Sequence, residues 1–111
     1  ITKNQLARYI VAEINGEIVG YGGIWLILDE GHITNVAVLS KNRGQGIGNY
    51  LVQGLIDICL QSKISAMTLE VRATNITAQN LYKKYGFTES GIRPKYYSDN
   101  NEDAIIMWKL L

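Results

Sequence analysis

Apolar and polar positions alternate through the N-terminal part of the chain, then switch to a spacing of about 3.6 residues, the signatures of strand and helix respectively. Arg8 to Ile14 (RYIVAEI) is rich in β-branched and aromatic residues, and Asn15-Gly16 separates it from a second apolar run, Glu17 to Leu28. Asn-Gly is the strongest short hairpin signal, because both central residues of a type I′ turn need positive φ. Gly20, Gly22 and Gly23 interrupt the second run, as glycines do at a bulge or where another backbone comes close. Asp29-Glu30-Gly31 reads as a turn and His32 to Leu39 (HITNVAVL) as the third strand of a meander.

Ile47, Leu51, Leu55 and Ile58 then share one face of a helix running from Gly46 to Leu60. Ala66 to Arg72 (AMTLEVR) alternates as a strand, with Met67, Leu69 and Val71 on one face and Thr68, Glu70 and Arg72 on the other. Thr74 or Asn75 is placed to cap a second helix that groups Ala78, Leu81, Tyr82 and Tyr85, and Gly86 stands where a C′ glycine stops it. Thr88 to Ile92 reads as a strand, Arg93 to Glu102 (RPKYYSDNNE) as a polar loop, and Asp103 to Leu110 as a last strand. The order β-β-β-α-β-α-β-β predicts an α/β fold in which helices cover a mostly antiparallel sheet. Repeats, linkers and low-complexity segments are not evident.

Composition narrows the chemistry. At 111 residues the chain is one domain, and 47% hydrophobic against 19% charged residues excludes a disordered tail or a charged nucleic-acid arm. With 11 Lys+Arg against 10 Asp+Glu there is no general polyanion surface. No apolar run approaches the roughly 20 residues of a membrane span, and no signal peptide opens the chain. Cys59 and His32 are the only residues of their kinds, so an internal disulfide and a Cys/His metal cluster are both excluded and a reducing setting is favoured. The first residue, Ile1, suits a fragment lacking its N-terminal part.

Arg43 to Gly48 (RGQGIG) lies between a strand and a helix start, where unpaired N–H groups and the helix dipole favour an anion. No Lys-Ser/Thr follows Gly48, which excludes a Walker loop, and the single-residue spacing of Gly44, Gly46 and Gly48 excludes the dinucleotide fingerprint. A glycine-rich strand-to-helix turn without any ligand remains open. Arg43-x-x-Gly46-x-Gly48, with Asn35-Val36-Ala37-Val38 before it, resembles the coenzyme loop of the GNAT N-acetyltransferases. LEVRATN (Leu69 to Asn75), LYKKYGF (Leu81 to Phe87), RPKYY (Arg93 to Tyr97) and NEDAIIM (Asn101 to Met107) extend the likeness, and together they are similar to the ribosomal-protein-alanine N-acetyltransferases. The likeness covers most of residues 8 to 111.

The resemblance implies the GNAT acyl-CoA N-acyltransferase fold, a mixed, mostly antiparallel sheet flanked by helices. It further implies that a strand and two helices normally preceding Arg8 are missing, so that residues 1–111 make a single, N-terminally truncated N-acetyltransferase domain. Acetyl-CoA is the implied cosubstrate, without a metal. The implied partner is a protein N-terminus, that of a ribosomal protein, met by a cytoplasmic monomer or weak dimer with no direct nucleic acid and no membrane. Coenzyme contacts carried over are Val36, Ala37, Val38, Arg43, Gly44, Gln45, Gly46, Ile47, Gly48, Asn75 and Tyr82. Catalytic roles fall on Glu70 as general base and Tyr82 as the proton donor to the thiolate, with the Val38 N–H polarising the thioester. Arg93, Tyr96 and Tyr97 become contacts for the acceptor.

A protein α-amine, with pKa about 7.7 to 8.0, is mostly charged at neutral pH and needs a base; lysine, near about 10.4, is a harder acceptor. Glu70 is the only acidic residue in the middle of a predicted interior strand, though it also suits a structural ion pair with Arg72 or Arg8. Tyr82 also suits core packing, Asn75 a helix cap, Tyr96 and Tyr97 the edge of the core, and Arg43 a solvated charge. His32 reads as a surface or turn residue, Cys59 as a buried small hydrophobe, and Trp25 and Trp108 as core. Two further functions stay open: acetylation of another amine (a polyamine, an antibiotic or lysine), and coenzyme binding without turnover.

Overall fold

The computed structural model describes residues 5–111; Ile1, on which the fragment expectation rests, lies outside them. Strands β1 (Gln5–Ile14), β2 (Glu17–Ile27) and β3 (Glu30–Val38) form the expected meander. Helix α1 (Ile47–Gln61) follows, then β4 (Ala66–Arg72), α2 (Ile76–Lys84), β5 (Thr88–Tyr97) and β6 (Glu102–Leu110). The six strands make one sheet in the order β1-β2-β3-β4-β6-β5. Every neighbouring pair is antiparallel except β3 and β4, which are joined through α1 and run parallel.

The first turn obeys its sequence: Asn15 and Gly16 have φ of 52° and 81°, as a type I′ turn requires. The second turn sits one residue earlier than expected, at Leu28-Asp29, and holds Leu28 at φ 56°. β5 is a larger correction. Arg93 to Tyr97 belong to an edge strand rather than a loop, irregularly paired with β6 between Arg93 and Tyr97. An edge strand exposed on both faces has no apolar alternation to reveal it, and the edge position tolerates Pro94.

Both helices lie on one face of the sheet. Val52, Leu55, Ile56 and Cys59 of α1 and Tyr82 of α2 join Ile24, Leu26, Met67, Leu69, Val71, Phe87 and Met107 in one buried cluster. Gly20 and Gly22 face α1, where a Cβ on Gly20 would lie 2.9 Å from the Ala37 carbonyl and 3.1 Å from Ile47. Their lack of side chains is what lets the N-terminal half of α1 settle against β2. The opposite face carries Tyr9, Val11, Tyr21 and Trp25, all exposed, so Trp25 is not core as its strand position had suggested. Among the described residues no helix is long and apolar enough to cross a membrane.

Candidate active site

The parallel pairing of β3 with β4 is short. It runs from Glu30↔Ala66 to Ile33↔Leu69 and stops there, while β3 continues against β2 as far as Gly20↔Val38. The break coincides with a bulge: Gly23 pairs with Asn35 and Ile24 with Ile33, leaving Thr34 as the extra residue. A bulge bends and twists its strand. Beyond Thr34, β3 therefore diverges from β4 and leaves a fork in the sheet with Val36, Ala37 and Val38 along one edge. Leu39 N–H donates toward β2, to the Val19 carbonyl at 2.8 Å. Successive amides of an extended chain alternate in direction, so Val38 N–H faces the open side.

A groove of about 790 Å³ occupies the fork, walled by the edge of β3, the loop and first turn of α1, and α2. Gly44 and Gly46 both have φ of +80°, and a Cβ on either would meet nothing within 4 Å, so backbone conformation and not crowding demands glycine there. Gly46 is the N-cap of α1 and supplies no side-chain cap, and the first turn carries no acidic residue. The amides of Ile47, Gly48 and Asn49 are thus left for an anion. Arg43 borders the groove, and so does Lys84, whose Nζ donates to Asn49 Oδ1 at 2.9 Å. Asn42 Oδ1, in the same lining, is buried without a hydrogen-bond partner.

Of the expected coenzyme contacts, Val36, Ala37, Val38, Arg43, Gly44, Gly46, Ile47, Gly48 and Asn75 all line this groove. Gln45 and Tyr82 do not: Gln45 is exposed on the loop and Tyr82 is buried beneath α2. Asn75 caps α2 by accepting from Ala78 N–H at 3.1 Å, which leaves it at the groove while serving the helix. Asn42 and Asn49 flank the loop in the chain without a motif to single them out, and Lys84 reaches it only through the approach of α2 to α1.

A second cavity, about 360 Å³, opens on the sheet's other face between Trp25, His32, Ile33, Thr34, Glu70, Tyr96 and Tyr97. Glu70 stands one residue beyond the last parallel pair, at the crotch of the fork, with its side chain only 9% exposed. Its ion-pair partners are neither Arg72 nor Arg8. His32 Nε2–H donates to Glu70 Oε2 at 2.6 Å, and Arg93 Nε approaches Oε1 at 3.5 Å. His32 is therefore a half-buried site residue rather than a bystander at a strand start.

Tyr82 is 8% exposed and meets the Phe87 ring edge-on at 5.7 Å. Burial pushes its phenol up to about 12, with the charge of Tyr97 acting in the same direction. It therefore stays protonated at any physiological pH and gives that proton up less readily than a free phenol. Tyr97 is itself clamped: the Arg72 guanidinium lies 4.0 Å from its ring centroid and is held in turn by Asp99 at 3.0 Å and Glu102 at 3.3 Å. Glu102 also accepts from the Thr74 hydroxyl and from Thr74 N–H at 2.8 Å, bonds that hold its carboxyl down at about 2. The β5–β6 hairpin is thereby tied to the turn before α2. Cys59 is fully buried and its thiol is pushed up to about 11 by burial, an inert packing residue.

The sequence and the fold have counterparts among known proteins. The acetyltransferase (GNAT) family profile matches residues 2–87. The chain is 44% identical to a candidate ribosomal protein bS18-alanine N-acetyltransferase of Bacillus subtilis, over 97% of this chain and 72% of that protein. The crystal structure of the ribosomal-protein-S18-alanine N-acetyltransferase from Escherichia coli superposes with a TM-score of 0.87 at 35% identity, covering 99% of this chain and 71% of that one. A GNAT family acetyltransferase from Elizabethkingia anophelis with acetyl-CoA bound superposes with a TM-score of 0.88 at 25% identity, over 95% of this chain and 76% of that one. On sequence and on fold alike, the chain belongs to the GNAT family of acetyltransferases.

Proposed function

We propose that this chain transfers the acetyl group of acetyl-CoA to the N-terminal α-amine of a protein, the N-terminal alanine of a small-subunit ribosomal protein being the acceptor, in the cytoplasm. One observation carries the reading. The open edge of β3 and the uncapped start of α1 meet, at the fork, a cavity on the opposite face whose innermost polar group is the carboxylate of Glu70. Donor and acceptor can thus approach one point from two sides of the sheet. The relatives named for alanine acetylation of bS18 support the choice of acceptor.

The chain's groups suit a cosubstrate with a pyrophosphate and an extended amide arm. The free amides of Ile47, Gly48 and Asn49, with Arg43 and Lys84, supply the positive end for phosphate oxygens. Val36 and Val38 offer unpaired strand edge to amide groups, as an added strand would find. When bound, acetyl-CoA supplies an acetyl group already activated as a thioester. Val38 N–H is aimed to stabilise negative charge developing on the carbonyl oxygen. Glu70, directly or through water, takes the proton that the α-ammonium must lose, and His32 holds the carboxylate in place. For the proton that the departing thiolate must take up, the family resemblance assigns Tyr82, which lies buried on α2 outside the groove lining and reaches the thiolate only if the bound cosubstrate opens a path to its hydroxyl. Arg93, Tyr96 and Tyr97 line the acceptor's approach.

An acetylation assay with peptides beginning Ala, Ser or Met, beside polyamines and peptides whose only free amine is an internal lysine, tests this reading. Preference for Ala-initiated peptides supports it. Turnover confined to polyamines or lysine assigns another acceptor, and coenzyme binding with no turnover on any amine assigns a binding module.

A further inference from the structure

The acceptor cavity has an unassigned wall. Trp25 projects from β2 onto the exposed face of the sheet, 40% exposed, directly opposite His32 in the β2–β3 register and beside Ala7 of β1. Side chains directly opposite across antiparallel strands lie in contact range. His32 is fixed by its bond to Glu70 at 2.6 Å, so the indole stands against an immobile neighbour on its β3 side. On its own strand it follows Gly23, where an added Cβ would already lie within 2.9 Å of Asn35, Thr34 and Tyr9 atoms, so space there is taken. Across the cavity stand Tyr96 and Tyr97, edge to face with centroids 5.0 Å apart, with Arg93 over Tyr96. The indole and the two phenols share the lining of the cavity that Glu70 faces. At about 360 Å³ the space is near the lower limit for a ligand site.

We propose that Trp25 is a specificity-determining residue: its indole limits the acceptor's first side chain to small, uncharged groups, so that Ala- and Ser-initiated chains enter and Met- or Leu-initiated chains do not. The inference rests on the N-terminal acetyltransferase reading and adds the residue that sets its selectivity. Steric exclusion suits the task, since a pocket rejects an oversized group more sharply than it rewards a fitting one.

Replacing Trp25 by Ala, an exposed position that leaves the core intact, should raise kcat/KM for a Met-initiated peptide relative to an Ala-initiated one at least about tenfold, while Trp25→Phe stays near wild type. The KM for acetyl-CoA should not move. A ratio within about twofold of wild type in Trp25→Ala overturns the role. Direct binding gives a second reading that needs no turnover. In Trp108→Phe, Trp25 is the remaining tryptophan of two, and an Ala-initiated peptide should shift its emission while a Met-initiated one does not. Equal responses to both peptides, or none, overturn the proposal. Failure of wild type to acetylate any N-terminal peptide would instead bring down the function from which the inference starts, and the emission titration would still read the pocket.

Discussion

His32 Nε2 and Glu70 Oε2 lie 2.6 Å apart across the parallel β3–β4 junction, at the last point where those strands are paired. The Glu70 carboxyl is 9% exposed, and its two oxygens face His32 Nε2 and, at 3.5 Å, Arg93 Nε, so the buried polar group has partners on both sides. The same fork that opens the groove along β3 thus presents a buried carboxyl group at its vertex.

Glu70→Gln keeps the shape and removes the base. Turnover should fall about 10²- to 10⁴-fold, most steeply at low pH, where the acceptor amine is charged, with acetyl-CoA affinity nearly unchanged. His32→Asn should cost less, about tenfold, because the carboxylate survives without its anchor. A pH–rate profile of both variants checks this; wild-type rates in Glu70→Gln across the range would remove Glu70 from the chemistry.

Tyr82→Phe isolates one hydroxyl while the ring contact with Phe87 persists. The turnover number should drop about 10- to 100-fold with the peptide KM little changed. Stability gives a second signature. Because the folded pKa is raised, from 10.0 to about 12, the native state keeps its proton where the unfolded chain loses it. That contribution, about 2 to 3 kcal/mol, is complete below pH 10 and disappears as pH rises to 12. Denaturant unfolding between pH 9 and 12, as the difference between wild type and Tyr82→Phe, measures it.

Glu102 behaves oppositely. Its pKa is depressed from 4.5 to about 2 by Thr74 first and Arg72 after, so its contribution is present above pH 4.5 and lost as pH falls through 2. Glu102→Gln should flatten the acid limb of unfolding. It should also loosen the clamp on Tyr97, raising the peptide KM several-fold while the KM for acetyl-CoA holds.

Gly46→Ala puts a Cβ at φ +80°, where there is room but not conformational freedom. The cost is about 1 to 2 kcal/mol if the loop keeps its shape. If it relaxes, the amides of α1 lose their aim. Thermal unfolding and coenzyme titration should therefore both report a loss, the second at least about tenfold.

Leu28 occupies the left-handed region at φ 56° and is 76% exposed, so it contributes strain and no burial. Leu28→Gly should raise stability by about 0.5 to 1 kcal/mol, read as a higher Tm without a change in turnover.

Much of this was legible in local chemistry. Alternation marked β1 to β4, Asn15-Gly16 dictated its turn, and the glycines of the RGQGIG segment marked the start of α1 as an anion site, because each depends on neighbours a few residues away. The motifs LEVRATN and LYKKYGF carried Glu70 and Tyr82. Residues set by register were not legible. His32 and Glu70 are 38 positions apart, and no periodicity shows that a bulge at Thr34 ends one pairing and opens a fork. Trp25 looked like core because a strand's pattern does not tell which face a helix will cover. Arg93 to Tyr97 looked like a loop because an edge strand needs no buried side chains. The sequence by itself determined most of the elements and the glycine loop before α1, since these follow from backbone preferences at short range, while the roles expected of that loop, Glu70 and Tyr82 came with the family resemblance. Only the tertiary structure decided which side chains surround Glu70 and what walls the acceptor cavity, because strand register and the face chosen by the helices are properties of the whole sheet.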